Sequence, residues 1–332
     1  MIVTLKPGAE VSRVLGELAA RGLWVSALER APGEPALLLV APHSAQVDPR
    51  ELGGIEGVLG VAAPKPQHPR VTAQRARVTV AGVPIGGGAE PVWMCGPCSV
   101  ESEQHARELA EQLRPLGVLF LRGGAFKPRT SPYAFQGHGE PALGWLRRAA
   151  DATGMRVVTE ALGEEHVAPV AEHADMVQVG SRNMQSFALL KAVGRAGKPV
   201  LLKRGMAATV EEWLLAGEYL LQHGAPVVVF CERGIRSFDA STRNLIDLGA
   251  VALLSHVYHQ PVIVDPSHAA GRRDLVAPLA RAAIAAGAAG LMVETHADPA
   301  HALSDGPQAL PLAELARLVG EIKRGQPDGG VS

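Results

Sequence analysis

From about residue 76 the chain repeats one pattern. A short, almost wholly apolar run gives way to a few glycine or polar positions. A longer stretch follows with apolar residues every three or four positions. The runs are "PVWMCGP" (91–97), "VLFLRGG" (118–124), "RVVTEAL" (156–162), "MVQVGS" (176–181), "PVLLKRG" (199–205), "PVVVFCERG" (226–234), "PVIVDPS" (261–267) and "GLMVETH" (290–296). Continuous apolar runs of this length predict strands buried on both faces, as in a parallel sheet. The stretches between them predict helices. "SEQHARELAEQLRPLG" opens on a Ser/Glu cap signal and stops at Gly117, and "TVEEWLLAGEYLLQHG" has Thr209 as N-cap and ends at Gly224. "DLVAPLARAAIAAGAAG" and "PLAELARLVGEIKRG" read as amphipathic helices. Eight strands alternating with helices over about 250 residues predict an α/β fold, the TIM (β/α)8 barrel. An open doubly wound sheet is the alternative. No G-x-G-x-x-G follows the first run, which counts against a dinucleotide fold.

The first 70 residues carry a different pattern. "MIVTLKP", "LWVSALERA", "PALLLVAP" and "VLGVAAP" read as strands, the middle two joined by a turn at Pro32-Gly33. "EVSRVLGELAARG" and "DPRELGGIEGV" read as helices. This βαββαβ order predicts a small ferredoxin-like α+β domain over residues 1–70, with the barrel over 71–332. "PKPQHPR" (64–70) reads as a Pro-rich linker. "ARVTVAGVPIGGG" reads as a hairpin closing the barrel's bottom, with Pro84 and the glycines near its turn.

Composition narrows the function classes. Formal net charge is −1 and no Lys/Arg run occurs, which argues against nucleic acid as a partner. No apolar run reaches the roughly 18 residues of a membrane span, so no membrane partner is expected. The start lacks a signal peptide's pattern and there are three cysteines, so a reducing cytoplasm is expected. Arginine outnumbers lysine 25 to 7, a weak sign of genome composition or a warm habitat.

Polar residues recur where strands end, the face on which TIM barrels build their sites. One set is Cys98, His268, Glu294 and Asp305. A thiol, an imidazole and two carboxylates suit a divalent transition ion. Closure of the barrel would put strand eight between strands one and seven. A second set is Arg122, Lys127, Arg182, Lys203 and Arg233. Five cations at one mouth imply an anionic ligand, because buried charge needs a counter-charge. Arg147, Arg148 and Arg272 fall on expected helix or loop exteriors. In "GGAFKPRTSP" (123–132), Arg129, Thr130 and Ser131 add charge and hydroxyls for a second anionic group. Cys95 and Cys98 form a C-x-x-C, but no second pair completes a zinc ribbon. Cys98 reads as the ligand and Cys95 as an apolar strand residue. Either Cys95 or Cys231 is a potential disulfide partner for Cys98 under oxidation.

These motifs, "GPCSVES", "LRGGAFKPRTSPYAFQG", "GSRNMQ", "LLKRGM", "CERGIRSFD", "DPSHAAGRRDLV" and "SDGPQAL", resemble the 3-deoxy-D-arabino-heptulosonate 7-phosphate (DAHP) synthases. The resemblance is to the type I beta form with an N-terminal ferredoxin-like domain, and it spans about residues 90 to 310. It implies a metal-dependent transferase that condenses phosphoenolpyruvate with erythrose 4-phosphate and water, opening the shikimate route to aromatic amino acids. The metal ligands would be Cys98, His268, Glu294 and Asp305, for manganese, iron, zinc, cobalt or a similar ion. Arg122 and Lys127 would hold the phosphoenolpyruvate carboxylate, and Arg182, Lys203 and Arg233 its phosphate. Arg129, Thr130 and Ser131 would meet erythrose 4-phosphate. Lys127, Cys98 and His268 would be catalytic, with Lys127 donating a proton to the developing alkoxide. A homotetramer and feedback by tyrosine or phenylalanine at the N-terminal domain are also implied. A domain that only stabilises the oligomer is the alternative for residues 1–70.

Octulosonate (KDO) 8-phosphate synthases, which use arabinose 5-phosphate, are the second reading. Their loop commonly reads K-A-N-R-[ST]-S against "KPRTS" here, and their metal-independent members carry Asn where Cys98 stands. A metabolite-binding regulatory protein on an inactive barrel is the third. Cys95, where the family often has Ala, and Thr295, in place of an apolar residue, depart from the pattern without touching a proposed ligand.

Overall fold

A computed structural model describes residues 1–28, 34–63, 65, 67–128 and 131–325. The chain divides into two units, Met1–Gln67 and His68–Ser332.

In the first unit the elements are β1 (Ile2–Leu5), α1 (Val11–Ala20), β2 (Val25–Leu28), β3 (Leu37–Val40), α2 (Pro49–Gly53) and β4 (Val58–Ala62). The strands form one antiparallel sheet in the order β2-β3-β1-β4. Alternate residues Val3, Leu5, Leu38 and Val40 pack with Val14 and Leu18 of α1 and Leu52 of α2. This is the ferredoxin-like arrangement the pattern predicts. The expected turn at Pro32-Gly33 lies outside the described residues.

The second unit opens with α3 (Pro69–Ala73), so the expected linker stops short of residue 69. The backbone N–H groups of Arg70 and Val71 donate to the Glu218 carboxylate, which anchors the start of this helix. Pro64 and Pro66 lie outside the described residues. The hairpin β5 (Val78–Val80) and β6 (Val83–Ile85) turns at Ala81 and Gly82, with φ of 46° and 86°. Two residues of positive φ match the strand twist of a two-residue hairpin. Pro84 sits within β6, opposite Thr79 and two residues past Gly82 of the turn.

Eight parallel strands follow: β7 (Val92–Gly96), β8 (Phe120–Arg122), β9 (Arg156–Glu160), β10 (Met176–Val179), β11 (Val200–Lys203), β12 (Val228–Glu232), β13 (Val262–Val264) and β14 (Gly290–Glu294). They pair in sequence order, and β14 closes onto β7 to form a barrel. Between them run α4 (Glu103–Leu113), α5 (Glu140–Thr153), α6 (Val167–His173), α7 (Phe187–Arg195), α8 (Val210–Gln222), α9 (Leu248–Ala252), α10 (Pro266–Ala270) and α11 (Val276–Ala285), with α12 (Leu312–Gly325) last. The cap signals behave as expected. Ser102 Oγ accepts the His105 N–H to start α4, and Thr209 and Glu212 form a capping box on α8.

Period two explains why each barrel strand is apolar throughout. Outward residues such as Trp93, Cys95, Leu121, Val157, Val177, Leu202, Phe230, Val264 and Val293 bury against the helices. Inward residues Met94, Phe120, Val158, Met176, Leu201, Val229, Ile263 and Met292, one from each strand, fill the barrel. Val78, Val80, Val83 and Ile85 of the hairpin join this inner cluster and plug its lower end, as the sequence predicts. Among the described residues no helix is long and apolar enough to cross a membrane.

Candidate active site and metal centre

Two residues beyond the inward apolar layer, the same strand face turns polar. Met94 is followed by Gly96, Phe120 by Arg122, Val158 by Glu160, Met176 by Gln178, Leu201 by Lys203, Ile263 by Asp265 and Met292 by Glu294. Cys231, also in the inner cluster, is followed by Arg233. Of these positions Arg122, Glu160, Gln178, Lys203 and Arg233 line a cavity of ≈ 340 Å³, together with Lys127, Ser131, Arg182, Arg243, His268 and Asp305. Gly96 lets the end of β7 approach β8 closely, because a Cβ there would lie 2.0 Å from the Arg122 carbonyl oxygen.

Cys98, His268, Glu294 and Asp305 converge, each offering a donor atom within 4.8 Å of the others. Cys98 follows β7, Glu294 ends β14, and Asp305 lies in the loop after β14. His268 lies on α10 and not at a strand end. Asp265 is the N-cap of this short helix and Pro266 its first residue, so the turn begins as β13 stops. The Asp265 carboxylate accepts the His268 N–H at 3.0 Å and pairs with its Nδ1 at 2.7 Å. That pairing puts the ring hydrogen on Nδ1 and leaves the Nε2 lone pair facing the site. Burial lowers the His268 pKa, outweighing Asp265 and Glu294. Nε2 then lies 3.2 Å from Glu294 Oε1, lone pair against lone pair, a contact that a cation between them relieves. Burial opposes the Glu294 charge, but Arg122 and Lys127 draw its carboxyl below the ordinary range. The Cys98 thiol is pushed up to about 12, first by burial and then by Glu294. It donates to Asp305 Oδ2 at 2.9 Å. One neutral imidazole, one thiol and two carboxylates within reach of one point fit a divalent ion, which would take the thiol as thiolate.

The cations are less uniform than the sequence suggests. Arg122 donates to Glu294 Oε1 and to the Pro97 carbonyl, each at 2.9 Å. Lys127 Nζ lies 2.9 Å from both the Cys98 sulfur and its carbonyl oxygen. Lys203 Nζ pairs with Asp265 Oδ2 at 2.6 Å. These three already have anionic or polar partners, so not all five await a ligand. Arg233 is the exception, buried with its Nη1 unpartnered, and burial lowers its pKa. Arg182 and Ser131 are exposed at the rim. Arg129 and Thr130 lie outside the described residues.

Five residues of the site receive no role in the motif reading: Asp265, Glu160, Gln178, Arg243 and Gln308. The first three sit two positions past an inward apolar residue, and that spacing was the available signal. Gln308 donates to Glu294 Oε2 at 2.5 Å, and Arg243 approaches Asp305 Oδ1 at 3.6 Å. Neither contact has a local sequence cue. All three cysteines are free and buried. Cys95 faces the helix layer and Cys231 the barrel interior, while Cys98 faces the mouth. A disulfide from Cys95 to Cys98 would require β7 to turn the Cys95 side chain away from the helix layer, whereas Cys231 already faces the barrel axis.

Comparison with known proteins finds relatives along nearly the whole chain. The family model described as "DAHP synthetase I family" matches residues 68–325. A phospho-2-dehydro-3-deoxyheptonate aldolase of Thermotoga maritima is 45% identical over 98% of this chain and 97% of its own length. A 2-dehydro-3-deoxyphosphooctonate aldolase of Acidithiobacillus ferrooxidans is 35% identical, over 68% of this chain and 86% of its own. The crystal structure of the Thermotoga maritima aldolase, titled a DAHP synthase, superposes with a TM-score of 0.76 at 43% identity, covering 97% of this chain and 96% of that one.

Proposed function

This chain belongs to the DAHP synthetase I family, and from that premise we propose that its barrel joins carbon 3 of phosphoenolpyruvate to the aldehyde carbon of erythrose 4-phosphate. Water adds at carbon 2 and inorganic phosphate leaves, giving DAHP, the first compound of the shikimate pathway. The observation that carries this reading is the convergence of four metal donors beside a buried, unpartnered arginine at one barrel mouth.

Cys98, His268, Glu294 and Asp305 hold a divalent ion, which when bound supplies Lewis-acid polarisation of the aldehyde carbonyl. Asp265 fixes the His268 tautomer and balances Lys203. Arg233, Lys203 and Arg182 bind the phosphoenolpyruvate phosphate, with Arg233 supplying the buried donor that lacks a protein partner. Arg122 and Lys127 orient the carboxylate. Arg129, Thr130 and Ser131 meet the aldose phosphate at the rim. Lys127, whose ammonium lies against the ligand cluster, gives a proton to the alkoxide formed at the former aldehyde. Together these cations offset the repulsion between two anionic substrates. Phosphate release from phosphoenolpyruvate in the presence of each candidate aldose phosphate tests the reaction.

The N-terminal unit is read as regulatory, binding tyrosine or phenylalanine, and the enzyme as a homotetramer. Both rest on family resemblance. Deleting residues 1–67 leaves an active barrel that tyrosine and phenylalanine no longer inhibit. Inhibition that persists in the truncated enzyme contradicts this reading. Three free thiols suit a reducing cytoplasm.

A further inference from the structure

We propose that Ser99, Glu101 and Ser304 form a clasp that positions Asp305 for the metal, a role additional to the four ligands and resting on that ligand reading. Asp305 is the one donor carried by a long loop. It adopts φ 50° and ψ 27°, the left-handed region that a non-glycine residue occupies when its surroundings hold it there. The two residues before it are gripped from one short segment. Ser99 Oγ and Ser304 Oγ lie 2.6 Å apart, both buried. Glu101 Oε1 accepts the Leu303 N–H at 2.7 Å. Ser99 and Glu101 immediately follow Cys98, so one stretch of four residues carries a ligand and fixes the loop that brings another. The result is the 2.9 Å contact between Cys98 Sγ and Asp305 Oδ2.

Glu101 has a second neighbour in His296, whose Nε2 lies 3.4 Å from Oε1. His105 packs beside it, the two imidazole centroids 4.3 Å apart. On distance alone Glu101, His105 and His296 resemble a second metal site. The His296 Nδ1, however, accepts the Asp298 N–H at 3.0 Å. That fixes the ring hydrogen on Nε2 and removes the lone pair a metal needs there. The cluster is therefore not a second metal site: His296 Nε2 stands 3.4 Å from Glu101 Oε1 without a hydrogen-bond partner, and the grip of Glu101 on the loop is its bond from the Leu303 N–H.

The test is cobalt(II) titration of the full-length protein, read by its visible absorbance against a competing chelator. Ser304→Ala and Glu101→Ala each raise the apparent Kd about tenfold, the scale of lost outer-shell support. Glu101→Gln keeps an acceptor for the Leu303 N–H and stays close to the parent. Asp305→Ala raises Kd at least as much. In that background the clasp substitutions add nothing, because there is no ligand left to position. A general loss of fold would lower affinity in both backgrounds equally. Ser99→Ala, the smallest change, covers the case in which another variant does not fold. Parent-like affinity in folded Ser99→Ala and Ser304→Ala, or an undiminished effect in the Asp305→Ala background, overturns the clasp. Parent-like affinity in Asp305→Ala itself overturns the ligand reading, and the clasp with it.

Discussion

Lys127→Met lowers kcat by about 10³-fold or more while leaving the bound-metal stoichiometry unchanged. Methionine keeps the length and flexibility of the lysine stem and removes only the ammonium. That ammonium lies 2.9 Å from the Cys98 sulfur, at the edge of the donor cluster. An aldehyde held at the cluster would bring its oxygen beside this ammonium, and the alkoxide it becomes as the carbon–carbon bond forms would need a proton from a nearby acid. Lys127 also contacts the Cys98 carbonyl oxygen, so its position is held from two sides. The four donors themselves remain in the variant. Steady-state kinetics and metal analysis on the same preparation check the result. A kcat within tenfold of the parent contradicts the proton-donor role, and loss of metal contradicts the separation of Lys127 from the ligand set.

Asp265→Asn weakens the protein in two measurable ways. Its carboxylate is fully buried, bonded to Lys203 Nζ at 2.6 Å and to His268 Nδ1 at 2.7 Å. Burial alone would raise its pKa, but His268 and Lys203 hold the carboxyl well below its ordinary range. The amide leaves the Lys203 charge buried without its counter-ion, which costs on the order of 3 kcal/mol of stability. It also removes the anion that keeps the His268 hydrogen on Nδ1, and metal affinity falls about 10- to 100-fold. Asparagine is as good an N-cap as aspartate, so α10 keeps its start. The expected losses are therefore electrostatic. Denaturant unfolding of the metal-free protein measures the first, and chelator competition the second. Parent-like values in both would remove Asp265 from the account of the site.

The barrel was legible because a strand buried on both faces leaves an unambiguous mark, an apolar run such as "PVVVF" with no alternation. The convergence of the four candidate ligands was legible once the runs were aligned, since Cys98 and Asp305 follow a strand and Glu294 ends one. What escaped has two physical causes. Glu160 ends its strand as Glu294 does, Gln178 stands one residue before a strand end and Asp265 one after, but a single polar residue in an apolar run carries no signal of its own. They become visible only by counting two from the inward residues Ile263, Val158 and Met176. Arg243, Gln308 and the Ser99–Ser304 pair are different. Their partners are 62, 14 and 205 residues away, and no spacing along the chain announces contacts made by barrel closure.

The measurement that tests the central claim most directly is phosphate release from phosphoenolpyruvate with erythrose 4-phosphate or arabinose 5-phosphate, each with and without a chelator. The site described here predicts rapid release with erythrose 4-phosphate alone, abolished by the chelator and restored by a divalent transition ion. Preferential release with arabinose 5-phosphate, or turnover that survives complete removal of metal, would contradict it.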